Sequence, residues 1–239
     1  MSNAQYEGDV PLPVPQKRDT LKSDGHESIK LNTIEEALDA FRNGECLLVL
    51  DDLDRENEGD LIVSAAKIST EMMAWIIRHS SGYVCIALTR ERLDALEIPM
   101  MVENNTDRHK TAYTHTVDYK HETTTGISAH DRAITALKLS DHSSQPDDFS
   151  RPGHMVPLRA VEGGVLSRKG HTEAAVDLCK LAGLPPAGVI CELVKPDCPK
   201  GSMARRDDCA LFARQWGLKI ITIEDLRHYR LLKEGLHYS

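Results

Sequence analysis

Amphipathic stretches with a helical period alternate along the chain with short, continuous apolar runs. The helical stretches carry apolar residues three and four positions apart, and glycine follows several of them where a helix would end. The clearest helix begins at Thr33, because Thr33 and Glu36 form a capping-box pattern ahead of Ile34 and Leu38. Further helices are predicted around Met72–Ile77, at Thr89–Glu97, from Ser128, at His171–Ala182, at Arg205–Trp216 and from about Glu224.

The short apolar runs, rich in Val, Ile and Leu, predict buried β-strands. We expect strands at Cys46–Leu50, Leu61–Val63, Tyr83–Leu88, Tyr113–Asp118, Met155–Ala160, Val189–Val194 and Leu218–Ile223. Because strands and helices do not follow a clean repeat, helices packed on a mixed sheet are favoured over a purely parallel sheet. The predicted fold class is α+β, with an α/β-like three-layer arrangement and a mostly non-repeating sheet.

Composition changes this picture only at the N-terminus. The chain has 239 residues, 41% of them hydrophobic, which is enough for one sizeable core. Residues 1–30 contain the segment PLPVPQKRD and few periodic apolar positions, so we expect a flexible N-terminal arm. Residues 31–239 are expected to form one domain.

The charge balance narrows the class of partner. The formal net charge is −8 and there is no block of Lys or Arg, which argues against a nucleic acid or an anionic membrane surface. The sequence contains no apolar run as long as a membrane span and no signal-peptide pattern. Six cysteines without C-x-x-C spacing indicate reduced, structural thiols. These features predict a cytoplasmic protein that acts on a small molecule.

The decapeptide DDLDRENEGD, Asp51–Asp60, holds six carboxylates and one arginine. Such a stretch is ordinarily a solvated loop. Here it joins two apolar runs, Cys46–Leu50 and Leu61–Val63, so its acids are anchored between buried strands. Carboxylates at close range repel each other unless a cation lies among them, and hard oxygen ligands suit Mg²⁺ or Mn²⁺. The decapeptide therefore predicts a divalent-metal site.

The segment SRKGHTE precedes a predicted amphipathic helix and predicts an anion site. Free N–H groups and the positive end of the helix dipole bind phosphate, and Arg168, Lys169 and the Thr172 hydroxyl add donors. Gly170 and His171 lie at the same helix end. The alternative is that Thr172 and Glu173 only cap the helix while the two basic side chains lie in water.

Two further polar residues lie in the predicted strands or next to them. Glu192 lies in the apolar run GVICELV and shares its strand face with Ile190 and Val194. A carboxylate is costly to bury there without a partner, which favours acid–base work over an outward-facing position. His154 follows a glycine, and by itself it is more typical of an ordinary turn histidine.

Taken together, the segments DDLDRENEGD, TTTGISAHDR, RPGHMVPLRA, GGVLSRKGHTEA and PAGVICEL resemble the 3,4-dihydroxy-2-butanone 4-phosphate synthase family of riboflavin biosynthesis. The resemblance spans about Thr33 to Leu226. It implies a lyase that converts D-ribulose 5-phosphate to L-3,4-dihydroxy-2-butanone 4-phosphate and formate with Mg²⁺, or with Mn²⁺ as an alternative. It also implies a homodimer with active sites at the subunit interface, in which 31–239 is a single catalytic synthase domain.

The resemblance assigns roles residue by residue. The implied metal ligands are Glu56 and His171. The implied substrate-binding residues are Arg55, Glu56, Asp60, Arg168, Lys169, Gly170, His171, Thr172 and Glu192. The implied catalytic residues are His154, Glu192, Glu58 and Asp60.

Three other interpretations of these residues are compatible with the sequence. A non-catalytic sugar-phosphate or metal-dependent binding protein would keep the phosphate site without needing the acid–base groups. A Mg²⁺-dependent phosphatase would use the acidic loop to activate water and would release phosphate instead of formate. A purely structural acidic loop would leave activity unchanged when Glu56 or His171 is replaced.

Overall fold

The computed structural model describes residues 13–18, 30–196 and 198–235. The strands are β1 (Leu47–Leu50), β2 (Gly59–Ser64), β3 (Cys85–Leu88), β4 (Val117–Tyr119), β5 (Phe149–Arg159), β6 (Ala187–Glu192) and β7 (Lys219–Thr222). The helices are α1 (Ile34–Arg42), α2 (Thr70–His79), α3 (Arg90–Ala95), α4 (Ala129–Ser140), α5 (His171–Leu181), α6 (Arg206–Trp216) and α7 (Ile223–Lys233).

The strands form one mixed sheet in the order β4-β5-β3-β6-β2-β1-β7. The pairs β1/β7 and β3/β5 are parallel, and the other neighbouring pairs are antiparallel. Chain order and sheet order differ, so the sheet has no regular βαβ repeat. The predicted mixed, non-repeating sheet is confirmed.

Both faces of the sheet are covered, as a three-layer arrangement requires. Leu48 and Leu50 of β1 belong to a core that includes side chains of α2, α4 and α6, whereas Leu47 and Val49 belong to a second core with α1, α5 and α7. This alternation follows from the two-residue period of a strand. Each fully buried apolar side chain of this kind contributes about 1.5–3 kcal/mol.

Local sequence signals fix several helix ends. The Glu36 N–H donates to Thr33 Oγ1 at 3.2 Å, and the Thr33 N–H donates to Glu36 Oε2 at 3.2 Å, so the predicted capping box is present. Such a cap is worth about 1 kcal/mol. Gly217 ends α6 with a φ of +69°, which a residue with a side chain adopts only with strain.

The predicted bounds of strands β4 and β5 were wrong. Of the predicted strand Tyr113–Asp118, only Val117 and Asp118 fall in β4, while Tyr113 forms an isolated bridge with Leu158. Strand β5 begins at Phe149, six residues before the predicted start. Proline and glycine at positions 152 and 153 hide this part of the strand in the sequence, and pairing with β4 supplies the order that local propensity lacks.

The register between these strands shifts abruptly. Val117 pairs with Met155, but its neighbour Asp118 pairs with Ser150, so residues 151–154 form a bulge on β5. A bulge re-aims the side chains that it carries. It determines where His154 lies.

The predicted N-terminal arm falls mostly on residues 1–12 and 19–29, which lie outside the described residues. Residues 13–18 contact the rest of the chain. The Arg18 N–H donates to Gln215 O at 2.8 Å, and Val14 packs against the core. Among the helices of the described ranges, none combines the length and the apolar character needed to cross a membrane.

Candidate active site

Asp51 organises the acidic loop that joins β1 to β2. Its Oδ1 accepts the Glu58 N–H at 2.9 Å, and its Oδ2 accepts the Glu56 N–H and an Arg55 guanidinium N–H, each at 3.0 Å. The side chain is buried. Asp51 therefore folds the loop around a single carboxylate. The sequence analysis predicted no role for Asp51 beyond its membership of the acidic decapeptide. An Asp directly after a strand nevertheless often accepts hydrogen bonds from the backbone amides of the following turn.

Arg205, at the start of α6, holds the loop from the other side. Its guanidinium donates to Glu56 O at 2.6 Å and to Asn57 O at 2.8 Å, and it lies 3.7 Å from a Glu58 carboxylate oxygen. Asn57 has a φ of +54°, the left-handed conformation that asparagine adopts at modest cost. No local pattern predicts these contacts, because Arg205 is about 150 residues away from the loop along the chain.

His171 is oriented by β1. Its Nε2–H donates to Val49 O at 3.1 Å, so Nδ1 faces the carboxylates of Asp60, at 3.5 Å, and Glu56, at 3.8 Å. The ring is buried at the first position of α5. When Nε2 carries the proton and donates it to a backbone carbonyl, Nδ1 of the neutral ring keeps a lone pair that can bind a metal.

The structure brings the two predicted metal ligands together and adds a third residue, Asp51. One ligand atom from each of Asp51, Glu56 and His171 lies within 4.8 Å of the others. Asp60 Oδ1 is buried and, among the described residues, has no hydrogen-bond partner. Its ion contact is to His171 Nδ1 at 3.5 Å, and a cation bound beside this buried oxygen would offset its charge at shorter range. The oxygen-rich set fits Mg²⁺ or Mn²⁺.

The charges of this cluster are strongly coupled. Burial opposes ionisation of Glu56, but the contact with His171 and the charge of Arg55 outweigh it and lower the pKa of Glu56 to about 2. Burial raises the pKa of Asp60 to about 7, against the opposing charge of His171. Burial alone would lower the pKa of His171, yet Asp60 and Glu56 raise it to about 9. Without a metal, protons therefore balance the carboxylates.

Glu58 and Glu192 line the same pocket. Glu192 lies opposite Asp60 in the β2/β6 register, and its Oε2 accepts the Ser81 hydroxyl at 3.1 Å. Ile190 of β6 packs in the core on this sheet face and Cys191 in the core on the other, so the predicted alternation is confirmed. Burial and then the charge of Glu56 raise the pKa of Glu58.

Arg168 and Thr172 mark the end of the pocket at the N-terminus of α5. The Arg168 guanidinium bonds Glu173 Oε2 at 2.5 Å, His109 O at 3.1 Å and Thr111 Oγ1 at 3.3 Å. These contacts fix the side chain in place beside the pocket. The Arg168 guanidinium therefore lies at this end of the pocket, paired with the buried Glu173 carboxylate, and the anion site itself stays a prediction.

The other two residues of the predicted phosphate site lie differently. Lys169 is not among the pocket-lining residues, because its ammonium pairs with Glu224 at 2.6 Å. Gly170 is the N-cap of α5, and a Cβ there would overlap the Arg168 guanidinium. This glycine thus accommodates a contact within the protein itself.

His154 is not brought into the pocket of its own chain. It lies in the β5 bulge, where its Nδ1 is 2.7 Å from Asp118 Oδ2, and it is not among the pocket-lining residues. Five lining residues had no predicted role: Cys85, Thr111, Tyr113, Leu158 and Ile190. Their only signal in the sequence was membership of, or proximity to, predicted strands.

We expect the metal-free protein to lose stability as the pH rises from 6 to 9. The folded pKa values of Asp60, about 7, and His171, about 9, exceed the ordinary values of 3.8 and 6.5. A group with a raised folded pKa stabilises the fold fully below its unfolded pKa, and this stabilisation is lost as the pH passes the folded value. Glu56, whose pKa is lowered to about 2, stays ionised across this pH range and therefore does not contribute to the change in stability. The Tm in EDTA should therefore fall.

Asp60→Asn should flatten this dependence, because it removes one raised group and also the charge that raises the pKa of His171, and His142→Gln, at an exposed position, should leave it unchanged. A wild-type Tm that does not vary with pH would contradict the charge balance described here.

Comparison with known proteins identifies the family. The family model described as 3,4-dihydroxy-2-butanone 4-phosphate synthase matches residues 35–229. The synthase of that name from Schizosaccharomyces pombe is 62% identical over 200 residues, which cover 83% of this chain and 97% of that protein. The Saccharomyces cerevisiae protein of the same name is 52% identical, with 82% of this chain and 97% of that protein covered.

Solved structures agree with the sequence relatives. A crystal structure of 3,4-dihydroxy-2-butanone 4-phosphate synthase in complex with two magnesium ions matches with a TM-score of 0.84 and 50% identity, covering 87% of this chain and all of that one. A cation-free form of a synthase matches with a TM-score of 0.82, 49% identity and coverage of 86% and 100%. The chain belongs to the 3,4-dihydroxy-2-butanone 4-phosphate synthase family.

Proposed function

We propose that the protein is a Mg²⁺-dependent lyase of riboflavin biosynthesis. Its substrate is D-ribulose 5-phosphate, and its products are L-3,4-dihydroxy-2-butanone 4-phosphate and formate. The observation that carries the proposal is the cluster of Glu56, Asp60 and His171, in which the buried Asp60 Oδ1 accepts no hydrogen bond from the described residues. Family membership and a magnesium-bound relative support the reaction and the metal.

Glu56 and His171 would hold the metal. Asp51 lies close enough to join them, but both of its oxygens already accept loop N–H groups, so its main effect is to orient Glu56. The imidazole Nδ1 is free to bind because Nε2–H is committed to Val49 O. When bound, Mg²⁺ supplies Lewis-acid stabilisation of negative charge on substrate oxygens. Mn²⁺ prefers similar ligands and is an alternative.

The substrate phosphate would lie at the N-terminus of α5. The Arg168 guanidinium, the Thr172 hydroxyl and the amide of His171 supply donors and positive potential there, whereas the Gly170 N–H already donates to Arg168 O at 2.9 Å. Lys169 would join them only by leaving Glu224. The other end of the substrate would then extend toward the acidic loop, within reach of Arg55.

Several carboxylates can serve the proton transfers. Excision of an internal carbon as formate requires enolisation, loss of a hydroxyl group, a skeletal shift and hydrolytic fragmentation, so more than one acid or base is needed. Asp60 lines the pocket and can exchange protons with the substrate. Glu58 and Glu192 line the same pocket and can accept or return protons at other substrate atoms.

The position of His154 supports a homodimer with active sites at the interface. The histidine is outside the pocket of its own chain, and its side chain is 42% exposed. In a two-fold dimer the same surface patch of each subunit faces the other. His154 would then enter the pocket of the partner subunit and complete its set of acid–base groups.

Formate release from D-ribulose 5-phosphate tests the proposed reaction. With Mg²⁺ the protein should release formate, and EDTA should abolish the release because the carboxylate cluster then holds only protons. Glu56→Gln and His171→Ala should each lower kcat/KM by about 100-fold or more. Glu35→Gln, the same change at an exposed site on α1, should have no effect.

Free phosphate should be assayed in the same reactions. Phosphate without formate would replace the lyase proposal with a hydrolase, and neither product would favour a binding protein. Full activity in both Glu56→Gln and His171→Ala would show that the cluster is only structural.

Mixing two inactive variants tests the shared site. Glu56→Gln leaves His154 intact, and His154→Gln leaves the pocket intact, so each mixed dimer would hold one complete site. Unfolding and refolding an equal mixture should restore about a quarter of wild-type activity, since half of the dimers are mixed and each has one of two sites. If each chain uses its own His154, mixing will restore nothing.

A further inference from the structure

The peptide group between Asn57 and Glu58 in the acidic loop is held at both ends. Its N–H, on Glu58, donates to Asp51 Oδ1 at 2.9 Å, and its carbonyl, on Asn57, accepts the Arg205 guanidinium at 2.8 Å. The N–H and C=O of a trans peptide point in opposite directions, so the two bonds come from opposite sides of the loop. The peptide cannot rotate without losing one of them.

The preceding peptide group is held in the same way. The Asn57 N–H donates to Asp52 O at 3.2 Å, and Glu56 O accepts the same Arg205 guanidinium at 2.6 Å. Together the two peptides fix Asn57 at a φ of +54°, which few residues other than glycine adopt. We call the two carbonyl contacts of this guanidinium the Arg205 clamp.

The clamp is itself anchored to the sheet. The Arg205 N–H donates to Asp208 Oδ2 at 2.9 Å, at the start of α6. The N–H of the buried Ala204 donates to Leu193 O at 2.9 Å, and the Leu193 N–H donates to Gly59 O at 2.9 Å. Because Gly59 is the first residue of β2, Arg205 is fixed relative to the strand into which the acidic loop runs.

The clamp acts on the main chain of Glu56, and Arg205 is not among the residues that line the acidic pocket. The main chain sets the direction in which the Glu56 side chain leaves the loop, and its carboxylate lies 3.8 Å from His171 Nδ1. We propose that Arg205 is a positioning residue that holds the loop in the conformation in which Glu56 and His171 share one cation. The inference rests on the proposed function, in which Mg²⁺ binds there.

Arg205 can affect a cation at the loop in two opposite ways. Its positive charge repels the cation, so by charge alone Arg205→Ala would tighten Mg²⁺ binding. Its hydrogen bonds select the loop conformation that binds, so by positioning alone the same variant would weaken Mg²⁺ binding. The sign of the change in affinity therefore distinguishes the two effects.

Calorimetric titration of Mg²⁺ into the metal-free variants measures that sign. Arg205→Ala should raise the Mg²⁺ Kd about tenfold, which corresponds to a clamped conformation reduced to about a tenth of the population. Arg205→Lys retains a donor at this position and should recover part of the affinity. Arg206→Ala removes the same charge from the next residue and should leave the Kd within about twofold. An unchanged or lower Kd in Arg205→Ala would overturn the inference.

Hydrogen exchange examines the loop without any metal. In Arg205→Ala a peptide that covers residues 51–60 should exchange faster than in the wild type, whereas one that covers β7 should be unchanged. The Arg205 side chain is 46% exposed, so the variant should fold with a Tm close to that of the wild type. Equal exchange of the loop in both metal-free proteins would show that Arg205 does not hold it.

Formate release separates this proposal from the proposed function. If the wild type neither binds Mg²⁺ nor makes formate, the proposed function fails, and hydrogen exchange still decides whether Arg205 holds the loop. If the wild type is active, Arg205→Ala should lose activity at limiting Mg²⁺ and recover most of it at saturating Mg²⁺, because the metal then selects the binding conformation. A loss that saturating Mg²⁺ does not reduce would contradict a role in positioning the metal site.

Discussion

The site depends on one electrostatic constraint, the confinement of several carboxylates around the buried imidazole of His171. Asp60 is buried, its Oδ1 accepts no hydrogen bond from the described residues and lies 3.5 Å from His171 Nδ1, and Glu56 lies close to the same ring nitrogen. Burying like charges together costs free energy unless protons or a cation offset them. In the metal-free protein, the raised pKa values of Asp60 and His171 show that protons fill this role.

The strands of the central sheet hold the charged residues of this cluster in position. Strand β1 supplies the Val49 carbonyl that orients His171, and its end leads directly to Asp51, which folds the acidic loop. Strand β6 places Glu192 opposite Asp60. Since these strands lie in the middle of a sheet covered on both faces, the charged groups are fixed by packing that they do not themselves provide.

The sequence predicted the parts of the fold that local patterns control. The capping box at Thr33 and the alternation of Ile190 and Cys191 were readable because their causes lie within a few residues. The β5 bulge was not, since its order comes from pairing with β4 and its own residues include proline and glycine. Local propensity and tertiary pairing disagree there, and pairing prevails.

The same distinction applies to the site. The acidic loop and the histidine at the start of α5 could be proposed as a metal site from their chemistry and from family resemblance. The clamp by Arg205 and the contact between Asp118 and His154 could not, because each joins segments that are distant in sequence. Residues that orient others carry little signal of their own, and only the three-dimensional contacts identify them.

Calorimetric titration of Mg²⁺ into the EDTA-treated protein tests the central constraint most directly. In two buffers of different ionisation enthalpy at pH 7.5, binding should release protons, because the cation displaces those held by His171 and Asp60. Affinity should rise with pH, and Glu56→Gln should weaken binding strongly. Heat that is independent of the buffer, or equal affinity in Glu56→Gln, would contradict a cation site at this cluster.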